Sequence, residues 1–248
     1  LLRHLLQRHR VFLGTFIDDP DDEQHLPTLQ ALCPDLHVER IAPRTAKIKS
    51  LTGLLTGEAL TLAYYRSAGM QRWVRETAAS HDLQASVVFS SAMAQYAQPL
   101  LPQVPMLVDF VDVDSAKWTQ YAPAHRWPLS MVYRREGRRL LAYERAVAAQ
   151  ARRSYFVTPN ETALFVSQAP ESRDKVQSLS NGVDADFFSP DPQRPNPFAA
   201  GEQAVVFTGA MDYWPNIDGV SWFVADMLPR LRAHWPRARF YIVGRSPS

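Results

Sequence analysis

The sequence predicts an α/β fold, with a parallel, doubly wound sheet covered by helices on both faces. Apolar segments of strand composition alternate along the chain with segments of helical periodicity. This alternation is typical of βαβ units and parallel sheets. Residues 204–244 repeat the pattern as an apolar strand, a glycine turn, an amphipathic helix and a second apolar strand. They predict the first βαβ unit of a second domain of the same class.

The composition excludes several classes of protein. The chain has 248 residues, 46% of them hydrophobic and 21% charged, as in ordinary globular proteins. Its formal net charge of +2 is too small to predict a nucleic-acid-binding protein. The single cysteine, Cys33, excludes an intrachain disulfide and fits a reducing compartment, in keeping with our expectation of a cytoplasmic location. No apolar run predicts a transmembrane helix, and the histidine spacings predict no metal site.

The first elements are a helix and two strands. The opening LLRHLLQRHR has Leu2, Leu5 and Leu6 on one helical side, and we interpret it as the second half of a helix whose preceding strand is missing. Residues 11–16 have strand composition and run into the acidic turn DDPDDE. Residues 36–42 alternate apolar and polar side chains, which predicts a second strand.

The middle of the chain continues the alternation. Residues 43–66 have weak periodicity and predict a basic loop or short helix around RTAKIK. Residues 68–80 predict a helix, and 86–90 and 105–115 predict strands, the latter running into three aspartates. The inward side chains of the helix are expected to be Met70, Trp73, Val74 and Thr77.

The longest predicted helix covers residues 129–151 and has one apolar and one basic face. Its apolar face holds Leu129, Val132, Leu140, Tyr143 and Val147, and its basic face holds Arg134, Arg135, Arg138 and Arg139. After it we expect a strand at 154–159, a helix at 161–169 capped by Asn160, and at 175–184 a strand that ends in a turn.

The domain boundary is predicted from proline. Residues 189–201 hold four of the 19 prolines, which is typical of a linker between domains. We therefore divide the chain into a first domain, 1–188, a linker, 189–203, and an incomplete second domain, 204–248. Ligands of such sheets bind beyond the carboxyl ends of the strands, so polar residues at those ends are the candidates for function.

Three aspartates, Asp109, Asp112 and Asp114, follow a buried strand. Alternation puts Asp112 and Asp114 on the same side, unless the strand has already ended. A carboxylate there can position a substrate hydroxyl or take its proton. The alternative is that the aspartates cap the next helix and pair with Lys117 or with the arginines of the long helix. No third ligand at recognisable spacing completes a metal site.

Glycines that follow strands are candidate phosphate contacts. Gly209 lies just past a strand, where a glycine lets the backbone approach an anion beside a helix N-terminus. Gly244 and Arg245 repeat the arrangement, and an arginine there can bind a pyrophosphate. Asn181 and Gly182 form a sharp turn, a hinge or a phosphate contact. The alternatives are ordinary tight turns and a solvated arginine.

The basic face of the long helix has two interpretations. Arg134 and Arg135, with the arginines that follow them, can meet an anionic acceptor or a membrane surface, whereas most charged faces are merely solvated. Three nucleotide and hydrolase motifs, G-x-G-x-x-G, G-x-x-x-x-G-K-[ST] and G-x-S-x-G, are absent from the sequence. Their absence argues against a dehydrogenase, an NTPase and an α/β-hydrolase.

Several segments together carry a resemblance: LLTGEALTLAYY, VDFVDVDSAKW, YRREGRRLLAYERAVA, NGVDADFFSP, and FTGAMDYWPNIDGVSWF with IVGRSP. With the opening LLRHLLQRHRVFLGTFIDD, they cover nearly the whole chain. The chain resembles group 1 glycosyltransferases of the GT-B fold. More narrowly, it resembles the sugar transferases associated with bacterial exopolysaccharide and PEP-CTERM protein-sorting clusters.

The resemblance implies two Rossmann-like domains facing a cleft, the first binding a glycan or lipid-linked acceptor and the second a nucleotide-sugar donor. It implies a retaining hexosyl transfer that needs no metal and no cofactor, in exopolysaccharide biosynthesis, with peripheral membrane contact as a further expectation. Asp109 and Asp112 are then the catalytic candidates, although many relatives have a histidine there. The acceptor-side candidates are Asp114, Lys117, Arg134 and Arg135. The donor-side candidates are Asn181, Gly182, Gly209, Gly244 and Arg245.

Two departures from the family pattern concern the donor site and the first strand. The glycine-rich loop after the first strand is absent, and the E-x7-E region that holds the donor is expected beyond residue 248. We therefore expect the chain by itself to show no turnover of a nucleotide sugar. The alternatives are a non-catalytic two-domain protein that binds a sugar or nucleotide, and a sugar-nucleotide epimerase of the same fold.

Overall fold

The computed structural model describes residues 1–245, in which every pair of neighbouring strands is parallel. The strands are β1 (Leu13–Ile17), β2 (Leu36–Arg40), β3 (Ser86–Phe89), β4 (Met106–Val111), β5 (Arg153–Phe156), β6 (Val176–Ser178), β7 (Gln203–Thr208) and β8 (Ala238–Val243). Helices lie between most of these strands, so the predicted α/β class with a parallel sheet is confirmed.

The helices vary from single turns to one helix of 22 residues. They are α1 (Leu2–Leu6), α2 (Leu26–Leu32), α3 (Pro43–Ser50), α4 (Thr52–Thr56), α5 (Leu60–Tyr64), α6 (Ala68–Ser80), α7 (Ala94–Ala97), α8 (Asp114–Tyr121), α9 (Leu129–Gln150), α10 (Pro159–Gln168), α11 (Trp214–Trp222) and α12 (Leu228–His234). None of the helices in residues 1–245 combines the length and apolar character needed to cross a bilayer.

The chain divides into two compact units, Leu1–Gly182 and Val183–Ser248. The first unit contains a two-stranded sheet, β1-β2, and a four-stranded sheet of order β3-β4-β5-β6. The second unit contains the two-stranded sheet β7-β8. In both units the strands are joined by helical crossovers, as parallel pairing requires.

The core of the first unit lies around β4. Met106, Val108 and Phe110 alternate along this strand and are almost completely buried. The Phe110 ring stacks on Phe156 of β5 with 5.1 Å between centroids, and Phe165 of α10 completes the cluster. Because β4 lies between β3 and β5, its end is fixed on both sides, and the loop that follows starts from a rigid position.

The cap of α10 and the length of β6 differ from their predictions. Thr158, rather than Asn160, caps α10, because Pro159 opens the helix and its neighbour Thr158 is extended and accepts from the N–H of Glu161 at 3.1 Å. The strand predicted at 175–184 is only β6, because its partner β5 ends at Phe156, which pairs with Ser178.

The long helix also differs from its prediction. Leu129, expected on the apolar face, is exposed because it is the first residue of α9 and extends past the core. Leu140 and Val147 are buried as expected, but two glutamates, Glu136 and Glu144, are buried beside them. The charged residues of this face are central to the candidate site.

The segment 43–66 forms the three short helices α3, α4 and α5 and is therefore a helical segment. α4 ends at Gly57, whose φ of +80° is a left-handed conformation that glycine adopts readily. In the second unit the expected single helix is interrupted by a π-helical turn, Phe223–Met227, before Pro229, which has no N–H to continue the helical ladder.

Candidate functional site

A strained turn ends β4. Val111 has a φ of +69°, and the N–H of Asp112 donates to the carbonyl of Phe110 at 2.9 Å, which closes a γ-turn. Positive φ is costly for a β-branched residue, by about 1–3 kcal/mol. Such strain is concentrated at binding and active sites, where the surrounding fold maintains it. This turn is therefore one end of the candidate site.

The end of the neighbouring strand β3 is also unusual. Ser90 has a φ of +73°, and its N–H donates to the carbonyl of Asp109 at 2.8 Å. The next residue, Ser91, is buried, and its hydroxyl has no hydrogen-bond partner within residues 1–245. Two adjacent parallel strands thus end in strained residues at the same edge of the sheet.

Lys117 brings two of the predicted aspartates together. Its Nζ lies 2.8 Å from Asp112 Oδ2 and 3.1 Å from Asp114 Oδ1. Burial disfavours the ammonium, yet the hydrogen bonds and charges of Asp112 and Asp114 outweigh it and raise the pKa of Lys117. The interpretation from strand alternation does not apply, because β4 has ended before Asp112 and Asp114 begins α8.

Asp114 has the environment of a proton acceptor. Burial raises the pKa of its carboxyl, Lys117 opposes the rise, and the nearby charge of Asp112 adds to it. The pKa of Tyr65 is raised by burial and then by the charges of Asp18, Tyr64 and Asp114. Asp18 directly follows β1, so polar groups from the ends of β1 and β4 lie within electrostatic range of Tyr65.

Two glutamates, rather than the aspartates, satisfy the backbone at the start of α8. Glu144 accepts from the N–H of Ser115 at 3.2 Å and from its hydroxyl at 2.5 Å. Glu161 accepts from the N–H of Val113 at 2.7 Å. Asp112 and Asp114 are therefore not helix caps. The structure does contain the other contact expected in that alternative, the pairing of both aspartates with Lys117.

Burial raises the pKa of Glu144 to about 8, and the hydrogen bonds from Ser115 and the charge of Lys117 only partly oppose this effect. At neutral pH the carboxyl of Glu144 is mostly protonated. Asp114 contributes to the shift, because its negative charge disfavours a second one at Glu144. The site thus contains one ion pair network at its surface and a neutral acid beneath it.

Asp109 differs from the other two aspartates. It lies within β4 and is half-buried, and its Oδ1 accepts from the N–H of Val111 at 3.1 Å. Its carboxylate therefore supports the strained turn from inside the strand. The geometry assigns Asp109 a positioning contact, whereas Asp112 and Asp114 follow the turn.

The arginines of α9 separate into different environments. Arg134 is exposed, but Arg135 is half-buried and donates to the carbonyls of Glu58 at 3.0 Å and Gly53 at 2.6 Å. Arg139 lines a cavity of about 470 Å³ between α9, the start of α5 and the segment after α7. The continuous basic face predicted for α9 is therefore wrong at Arg135, which holds the connection between α4 and α5.

The donor-side candidates lie in two places. Asn181 and Gly182 are exposed at the end of the first unit. Gly209 and Gly244 approach each other in the second unit: the N–H of Gly209 donates to the carbonyl of Val243 at 3.0 Å, and a Cβ on Gly244 would lie 1.9 Å from the carbonyl oxygen of Gly209. Arg245 lies 3.6 Å from Asp212.

Three functional candidates were missed from the sequence: Tyr65, Ser90 and Glu144. Glu144 had a recognisable signal, because it interrupts the apolar face of a helix, where a charged residue needs a partner. Ser90 and Tyr65 had none, since they are brought to the site by pairing between distant segments. Glu136 and Glu144 are also eight positions apart, the E-x7-E spacing, but both carboxylates bind backbone N–H groups within the first unit.

A comparison with protein-family models finds no match for this chain, and a search of curated proteins finds none either. The described residues, 1–245, contain no group of three or more side chains arranged to hold a metal ion. Support for a function therefore comes from the geometry of the site and from the residue patterns that carry the resemblance.

Proposed function

We propose that the chain belongs to a nucleotide-sugar-dependent glycosyltransferase of the GT-B type, with Rossmann-like domains and the acceptor bound by the first unit. One observation supports this most: the strained turn at Val111 presents Asp112, Asp114 and Lys117 at the carboxyl end of a central parallel strand. Ligands of open α/β sheets bind at this edge. We assign the reaction to cytoplasmic glycan assembly, with exopolysaccharide as the product class.

In this proposal the acceptor is a sugar or a lipid-linked glycan. Asp112 accepts hydrogen bonds from the hydroxyl groups of the acceptor, and Lys117 Nζ holds its carboxylate in position at 2.8 Å. Asp114 is the better proton acceptor, because burial raises the pKa of its carboxyl. The reacting hydroxyl gives its proton to Asp114 as its oxygen bonds to the anomeric carbon of the donor, and the bond from that carbon to the diphosphate breaks.

The donor side of the proposal uses the second unit. The leaving nucleoside diphosphate carries negative charge, which a guanidinium and free backbone N–H groups stabilise. Arg245 is mostly exposed and its contact with Asp212 is long, so its guanidinium remains accessible to a phosphate. A Cβ on Gly244 would meet the backbone of Gly209, and a Cβ on Gly209 would meet Asn216, so neither position accepts a side chain.

Binding of a nucleotide sugar tests this proposal. Saturation-transfer NMR on the chain with UDP-, GDP- and ADP-sugars detects even weak complexes, and we expect one of the three to bind. Arg245→Gln should weaken that binding about tenfold, as expected for the loss of a charge-assisted contact. Arg230→Gln, which removes an exposed arginine of α12, is the matched control and should bind normally. Absence of binding for all three sugars would contradict the donor assignment.

A non-catalytic binding protein is the second candidate. It is favoured by the pairing of Asp112 and Asp114 with one lysine, since a carboxylate in an ion pair binds a hydroxyl more readily than it removes a proton. Formation of a labelled transfer product from a nucleotide sugar and an acceptor would exclude the binding protein. Turnover of the nucleotide sugar without an acceptor would indicate an epimerase.

A further inference from the structure

Four large aliphatic side chains are exposed within eight residues of α3 and α4. The exposed fractions are 70% for Ile48, 53% for Leu51, 41% for Leu54 and 91% for Leu55. Single exposed apolar residues are ordinary, but a contiguous group of them marks a surface that binds something. We call residues 44–55 of these helices the α3–α4 surface.

The same surface carries unpaired positive charge. Arg44, Lys47 and Lys49 are exposed, and none of them forms an ion pair within residues 1–245. The sequence from 43 to 57 contains no acidic residue. The next carboxylate, Glu58, is held by two hydrogen bonds from Arg66, each of 3.1 Å. The positive charge is therefore not compensated locally.

Helical spacing places charge and apolar groups on one side of α3. A set of residues three, four and seven positions apart shares the outward side, namely Arg44, Lys47, Ile48 and Leu51. Ala46 and Ser50 are buried on the opposite side. Arg135 fixes the connection that follows α4, through the carbonyls of Gly53 and Glu58, so the surface is supported from beneath.

We propose that the α3–α4 surface binds the surface of an anionic phospholipid membrane. Lysine and arginine are attracted to anionic headgroups, while the exposed leucines and isoleucine enter the boundary with the acyl chains. A protein partner fits less well, because protein interfaces favour aromatic residues and disfavour lysine, and residues 43–57 contain no aromatic residue. A second copy would bring like charges together across a two-fold axis.

This inference goes beyond the proposed transfer reaction and can be tested without it. Membrane binding needs no nucleotide sugar and no glycan acceptor, so its failure and a failure of donor binding are separate results. It also moves the expected membrane contact from the arginines of α9 to a surface where charge and exposed apolar groups coincide.

The experiment is co-flotation of the chain with two kinds of vesicle, one of phosphatidylcholine alone and one that also contains about 30% phosphatidylserine. That fraction of anionic lipid is enough to give the vesicle a negative surface potential. We expect flotation with the anionic vesicles only, weakened by added salt. Two double variants should each lower the membrane partition coefficient about tenfold or more. One combines Ile48→Asp with Leu55→Asp, and the other combines Lys47→Gln with Lys49→Gln. Leu179→Asp, at a leucine that is 50% exposed elsewhere, and Arg134→Gln with Arg138→Gln should leave it unchanged.

The contrary results are distinct. No flotation with anionic vesicles overturns the proposal, and so does flotation that survives both sets of substitutions. Loss of flotation with Arg134→Gln and Arg138→Gln alone would assign the contact to α9. A larger particle on gel filtration that Leu55→Asp abolishes, without lipid binding, would assign the surface to self-association. Circular dichroism of each variant verifies that the helices are retained.

Discussion

Arg135 and Glu136, adjacent on α9, bind opposite ends of the same connection. Arg135 donates to the carbonyls of Gly53 and Glu58, whereas Glu136 accepts from the N–H groups of Leu60 and Thr61 at 2.7 and 2.9 Å. Arg135 thus binds carbonyls within and after α4, and Glu136 binds the N–H groups at the start of α5. Both satisfy groups that helices leave without partners.

The first prediction concerns Glu136. Glu136→Ala should lower the free energy of unfolding by about 2–4 kcal/mol, because it leaves two backbone N–H groups and the Thr61 hydroxyl without an acceptor in a buried site. Urea unfolding measures it. Glu76→Ala, at an exposed position of α6, is the control and should change stability by less than about 0.5 kcal/mol. Equal effects at both positions would contradict the capping role.

The second prediction concerns the pH dependence contributed by Glu144. Its pKa is about 8 in the folded chain against 4.5 for an ordinary glutamate, so the folded state holds a proton that the unfolded state has lost between those pH values. The contribution of Glu144 is fully present below about pH 4.5 and is lost as pH rises toward about 8. Relative to Glu144→Gln, the parent chain should lose about 1.4 kcal/mol of stability per pH unit from pH 5 to 8.

Urea unfolding of both chains at several pH values measures this difference. Gln keeps an amide oxygen that can accept from Ser115 but does not titrate, so the difference between the two curves isolates the carboxyl. A difference that stays constant from pH 5 to 8 would show that Glu144 is already ionised in the folded chain.

Helix α6 shows what the sequence allows one to predict. Its bounds, Ala68–Ser80, match the expectation at both ends, since its apolar period and its cap are local. Ser67, the cap, accepts from the N–H of Met70 at 3.2 Å. The α/β class and the parallel pairing follow in the same way from the alternation of segments.

The candidate site at the end of β4 was harder to predict from the sequence than the fold, and the turn at Val111 is one reason. A valine with positive φ has no sequence signal, because valine avoids that conformation, and so the strained turn at Val111 was not predicted. That the strand ends before Asp112 was only an open alternative. Asp112 and Asp114 therefore do not alternate as strand residues. Both aspartates instead contact Lys117, one turn into α8. This pairing was expected only as an alternative to a functional role. Contacts from distant segments, such as Glu144 to Ser115, depend on the tertiary fold.

The third prediction tests the strain at Val111. Glycine tolerates a φ of +69°, so Val111→Gly should leave stability unchanged or raise it by about 1 kcal/mol, despite the lost side chain. The matched control is Val157→Gly, a half-buried valine just past β5, whose N–H donates to Val111 at 2.7 Å. It should lose about 2 kcal/mol or more. Similar losses at both positions, by thermal unfolding, would show that Val111 is not strained.

The fourth prediction concerns the second unit. Gly244→Ala should disrupt it, because the added Cβ would lie 1.9 Å from the carbonyl oxygen of Gly209 and 2.7 Å from its carbon, and backbone atoms must then move. Gly219→Ala is the matched control, since nothing lies within 4 Å of a Cβ at this position of α11. It should stabilise the helix by up to about 1 kcal/mol. Hydrogen exchange of β7 and β8 measures both effects, and slow exchange in Gly244→Ala would refute the close approach.

The fifth prediction separates the charges of the site. Lys117→Met should destabilise the chain by about 1–3 kcal/mol at pH 7, because two half-buried carboxylates, Asp112 and Asp114, then face each other without a cation. The pKa of Asp114, already raised by burial, should rise further, so the loss should shrink as pH falls and the carboxyl takes up a proton. Adding Asp112→Asn should recover much of the loss at pH 7, since it removes the repulsion without changing size. If the double variant is no more stable than Lys117→Met at any pH, the two carboxylates are not coupled through Lys117, and the charge arrangement proposed for acceptor binding is wrong.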